Sequence, residues 1–140
     1  MKRIRSERGV ALVETALTLP LLLLVTIGAV EFGRAYQTWQ VLTNAAREGA
    51  RLAVLPDITD AAVKARVTAY MVAGQLGNPG GATITVTRNT PLGNGTASTV
   101  LLEYPFNFIV LQPVAQLVVN GSNVGAPLTM GASAMMRNEQ

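Results

Sequence analysis

The chain has 140 residues, 49% of them hydrophobic and 14% charged, with a formal net charge of +3. Cysteine and histidine are both absent, which excludes a disulfide framework, a thiol-linked lipid and thiolate or imidazole metal sites. Lys2, Arg3, Arg5 and Arg8 against Glu7 carry the whole net charge, so the body is neutral and points to no nucleic acid.

Residues 1–9, MKRIRSERG, form a basic leader that runs directly into an apolar stretch at 10–30. As a helix that stretch is about 30 Å long, the thickness of a bilayer's hydrocarbon core. Basic residues before a span hold that end in the cytoplasm, so the chain after Val30 is expected outside it. The stretch contains one charge, Glu14, five residues after Gly9. An acid within a spanning helix costs roughly 2.5–3.5 kcal/mol, so it implies a partner or a role. An ordinary secretory signal is the competing reading. Against it, Glu14 would sit in the signal's apolar core, and no small-x-small cleavage site follows before Glu31, Phe32, Gly33 and Arg34.

The helix is expected to continue to Pro56, about 46 residues and near 69 Å in all. Pro20 removes the bond to the Ala16 carbonyl, predicting a kink or a locally melted turn. Over 35–53, Ala35, Trp39, Leu42, Ala46, Ala50 and Ala53 fall in one stripe. Arg34, Gln37, Asn44, Arg47, Glu48 and Arg51 lie opposite, an amphipathic pattern. Glu31 with Arg34, and Glu48 with Arg51, are spaced to pair along the helix.

Beyond Pro56 there is room for one small domain. Asp57 or Thr59 can cap a second helix whose apolar face is Val63, Val67, Tyr70, Met71 and Gly74, closed by Gly77 and Pro79. Residues 82–88 alternate as a strand, 91–95 make a turn and 99–104 a second strand. Residues 109–119, with Pro113, read as a short helix or an irregular loop. A last strand at 128–137 places Leu128, Met130, Ala132, Ala134 and Met136 on one face. The fold class is therefore α+β: a long N-terminal helix, membrane-spanning in its first half, packed on a small antiparallel sheet with a second helix.

The order RG, VALVE, LPLLLL, EFGRA and NAAREGARLA, the last at 44–53, resembles the TadE-like pseudopilins of tight-adherence (Tad, or Flp) pili. The resemblance implies a minor pilus subunit that is a peptidase's substrate and no enzyme. It implies cleavage by a membrane prepilin peptidase between Gly9 and Val10, with Glu14 required for processing and assembly. Its domains would be a leader at 1–9, an assembly helix at 10–34 and a periplasmic or extracellular part at 35–140. Its partners would be the prepilin peptidase, other pilins and pseudopilins, the inner-membrane assembly platform and lipid. It would lie in the inner membrane, or in the extracellular pilus, and serve adhesion. Type IVa pilins commonly begin FTLIE, whereas this chain has VALVE. An uncleaved, membrane-anchored periplasmic scaffold of a secretion complex is the alternative.

Cleavage would leave an ammonium on Val10, about 6 Å along the helix from Glu14. Both charges are costly alone at the bilayer edge, so pairing between neighbouring subunits would offset the cost and set their stagger. Other chemistry finds no support, and no cofactor is implied. Ser6, Ser98, Ser122 and Ser133 have no histidine to activate them. Gly77, Gly80 and Gly81 precede a strand and form no phosphate loop. Asp57 and Asp60 read as helix-capping acids that need no calcium. Tyr104, Phe106 and Phe108 alternate along a strand edge and read as core.

Overall fold

The computed structural model describes residues 3–118 and 127–138, with side chains at 9–116 and 127–138. Met1, Lys2, Val119 and Ser122 lie outside the described residues. The elements run α1 (Arg3–Ala53), α2 (Asp60–Ala73), a single 3-10 turn (Pro79–Gly81), β1 (Thr83–Leu92), β2 (Gly95–Phe106), α3 (Leu111–Val118) and β3 (Leu128–Arg137). The architecture is α+β and pilin-like: a long helix, a three-stranded antiparallel sheet ordered β1-β2-β3, and further helices. The chain divides into two compact units, Met1–Arg34 with Phe108–Gly125, and Ala35–Asn107 with Ala126–Gln140.

In the first unit α1 runs unbroken through Pro20. The hydroxyls of Thr15, Thr18 and Thr26 donate to the carbonyls of Ala11, Glu14 and Leu22, each at 2.8 Å. Those bonds spare the hydroxyls an unpaired state in an apolar setting. Val10, Leu12, Val13, Leu17 and Leu21 through Val25 are all exposed, so this stretch is apolar outside as well as long enough to cross a membrane. Residues 109–119, open on sequence between helix and loop, contain helix α3. Pro113 falls in its first turn, where no intrahelical N–H bond is lost. The Val114 N–H donates to the Val110 carbonyl at 3.1 Å.

The second unit is built on a seam of small residues along α1. Ala35, Leu42, Ala45, Ala46, Ala50 and Ala53 are buried, and Thr38 with them. A Cβ on Gly49 would stand 2.5 Å from Val67 and 3.3 Å from Val100, so α1, α2 and β2 meet there at a distance only glycine permits. Trp39, expected in the stripe, is instead 46% exposed beside Tyr36, with ring centroids 6.1 Å apart. The packed seam passes through Thr38, and a large ring at its centre would hold the layers apart.

Thr59 caps α2, its hydroxyl accepting from the Ala62 N–H at 3.2 Å; Asp57 stands in a left-handed turn at φ 64°. Val63, Val67 and Met71 are buried, whereas Tyr70 faces outward at 38% exposure. The helix closes at Gly74 rather than Gly77. The Leu76 N–H reaches the Met71 carbonyl and the Gln75 N–H the Val72 carbonyl, with Gln75 left-handed at φ 58°. This is a Schellman closure without the usual glycine.

Both first strands are longer than the alternation predicts. β1 slips register between Thr87 and Thr90, with Asn89 at φ 56°, and resumes through Pro91, which an edge strand tolerates. The turn shrinks to Gly93 and Asn94, with Gly93 at φ 57°. β2 is the central strand, paired on both sides, so Tyr104 and Phe106 are core residues of a middle strand and not an edge. Val100 pairs with Val86 and Ala134, and Leu102 with Ile84 and Ala132. β3 occupies the expected residues, although Leu128 at its start is 49% exposed.

Arg88, beside the β1 bulge, pins the loop between the helices. Its guanidinium meets the Asp60 carboxylate at 2.6 Å and donates to the Ala53 and Ile58 carbonyls. Asp60 is thus an ion-pair partner, not merely a capping acid.

Candidate functional site

One acid lies inside the apolar stretch of α1 and another just after it, and the structure separates them sharply. Glu31 is 3% exposed and fully engaged. Its carboxylate accepts from the Ile109 N–H at 2.8 Å and from the Val110 N–H at 2.8 Å, and it pairs with Arg34 at 3.3 Å. Two backbone donors just ahead of α3 are therefore satisfied by a charged acceptor, which also complements that helix end. On sequence Glu31 pairs only with Arg34; its main bonds run to residues 78 and 79 positions away. Phe32 packs edge-to-face on Phe108 at 5.9 Å beside it.

Glu14 is the opposite case. It is exposed, and among the described residues its carboxylate has no hydrogen-bond or ion-pair partner. Val10 lies four residues earlier on the same face at 64% exposure; Gly9, Val10, Val13, Glu14 and Leu17 together border one shallow surface depression. A side chain added at Gly9 would meet nothing within 4 Å among the described residues. The structure thus brings Gly9, Val10 and Glu14 onto one accessible patch. Pro20 lies apart from it, within the helix.

Elsewhere, Glu48 pairs with Arg51 at 3.4 Å as its spacing predicts, and also with Arg66 of α2 at 3.0 Å. The bond from Arg66 first, and the charges of both arginines, hold its carboxyl below the ordinary value against partial burial. Asn138 closes a polar cluster, accepting from Ser98 at 2.7 Å and donating to Thr96 and Asn89.

No curated protein and no solved structure matches the chain. Residues 9–51 match the family model described as TadE-like protein, a match that opens on Gly9 and closes in the last turn of α1. Over residues 9–51, which hold the exposed Glu14 and the bonded Glu31, the chain is similar to TadE-like proteins.

Proposed function

We propose that the chain is a minor pseudopilin of a Tad-type pilus. It is inserted in the inner membrane with residues 1–9 in the cytoplasm and residues 35–140 outside. A prepilin peptidase cuts between Gly9 and Val10, and the processed chain joins other pilins and pseudopilins at the assembly platform. The observation that carries this reading is Glu14. It is a charge on an exposed apolar helix, without a partner among the described residues, and one turn from Val10, whose ammonium cleavage would create. A partner helix carrying that ammonium supplies what the acid lacks, and the pairing fixes the axial register between subunits. The match to TadE-like proteins over 9–51 supports the same assignment and leaves the adhesive role to experiment.

Gly9→Val tests processing, because a branched side chain blocks close approach of a peptidase to the backbone. In a host that carries the peptidase, this variant is expected to keep its leader and migrate as the longer precursor. Normal trimming of Gly9→Val would remove the pseudopilin reading and favour an uncleaved membrane scaffold.

A further inference from the structure

We propose that residues 108–118 form a second membrane-contacting element, seated in the outer lipid interface against the end of α1 and held there by Glu31. The proposal rests on α1 spanning the bilayer. Ile109 and Val110 line, with Thr26, Ile27, Val30, Glu31 and Arg34, an open and mainly apolar depression of about 260 Å³. If 10–30 crosses the hydrocarbon, Thr26 lies about 6 Å inside its outer limit and Glu31 about 1.5 Å beyond it. A segment bonded to Glu31 is therefore fixed at the interface, whatever its own chemistry.

That chemistry suits lipid. Residues 104–136 contain no Asp, Glu, Lys or Arg. Ile109 at 64% exposure, Val110 at 37%, Val114 at 40% and Phe32 at 64% present apolar surface outward at this level. The short helix α3 carries Leu111 and Val114 with the uncharged Gln112 and Gln116, so apolar residues can enter lipid without burying a charge. The Glu31 carboxylate bonds the Ile109 and Val110 N–H groups at this level, so the backbone there is held against α1 with its donors satisfied where water is scarce. Glu31 is thus an internal acceptor that lets backbone enter the interface, and Glu14 is left for the filament partner.

The absence of cysteine makes the full-length chain suitable for single-site probes. Fluorescent labels at Ile109→Cys, Val114→Cys, Leu22→Cys and Ala61→Cys are read in phosphatidylcholine–phosphatidylglycerol vesicles. Acyl chains brominated near the glycerol serve as the lipid quencher and iodide as the aqueous one. The expected result is bromolipid quenching at 109 and 114 several-fold above that at Ala61, with iodide quenching correspondingly reduced. Adding Glu31→Ala should shift the label at 109 toward iodide. Iodide-accessible labels at 109 and 114 with a lipid-quenched label at Leu22 would overturn the proposal while leaving the span intact. Protection from both quenchers would overturn it in favour of a second protein copy. A label at Leu22 insensitive to bromolipid would instead remove the spanning helix itself.

Discussion

Glu14 and Glu31 are the same residue type at opposite ends of one apolar run, and their environments assign them different work. Glu31 bonds two backbone N–H groups and Arg34 within its own unit, so its loss should be felt in the fold. Glu31→Ala leaves those donors without an acceptor, at about 1–3 kcal/mol. Amide exchange at Ile109 and Val110 should accelerate accordingly, and unchanged exchange there would contradict the role. Glu14→Ala should leave that exchange untouched while reducing filament yield, because the partner proposed for it lies on another chain. Glu48 offers a pH test. Its carboxyl titrates below the ordinary value, so it favours the fold above that value and loses its contribution as the pH falls through the lowered one. Glu48→Gln should cost about 0.5–1 kcal/mol near neutrality. It should also flatten the acid limb of a stability–pH curve measured on residues 35–140; an acid limb as steep as before would contradict the assignment.

At the scale of elements, the strong signals in the sequence are those with a long period or a fixed chemistry. Apolar content marked α1, alternation marked β3, and the pair Asp57 or Thr59 marked the start of α2, with Thr59 the one that caps it, because each depends on neighbours along the chain. Tertiary partners decided the rest. The β1 bulge at Asn89 and the bonds from Glu31 to Ile109 rest on pairings that no local pattern contains. Trp39 misled for a related reason: hydropathy favours a ring in the seam, while the distance between layers requires Thr38 and Gly49. That distance gives a prediction. Gly49→Ala gains about 1 kcal/mol of helix propensity but forces a methyl onto the stiff side chain of Val67, an overpacking cost of about 1–3 kcal/mol. Its midpoint in thermal unfolding should fall; a rise would mean that the seam is looser than described. Gln75→Gly should act in the opposite sense, since glycine adopts the left-handed position of the α2 closure without strain. A lowered midpoint would show that the Gln75 side chain matters more than its backbone.

For the whole molecule, the candidate site was legible in sequence as a pattern, Gly9 followed by Val10 and Glu14, but not as a surface. The structure adds that these residues are accessible together and that Glu14 has no partner in its own chain among the described residues. Residues 35–140 retain the α1 seam, α2 and all three strands, and should fold as a soluble fragment with mixed helix and strand. Without Glu31 the residues at 108–118 lose their acceptor, so Ile109→Ser with Val114→Ser should improve that fragment's monodispersity. A fragment starting at Pro56 lacks the seam and should aggregate; cooperative unfolding of that shorter piece would show the sheet to be an independent domain. The most direct test is the first residue of the protein recovered from membranes that contain a prepilin peptidase. Intact-mass measurement should give a chain that begins at Val10. A chain that retains the residues before Gly9, or one that begins beyond Val30, would contradict it.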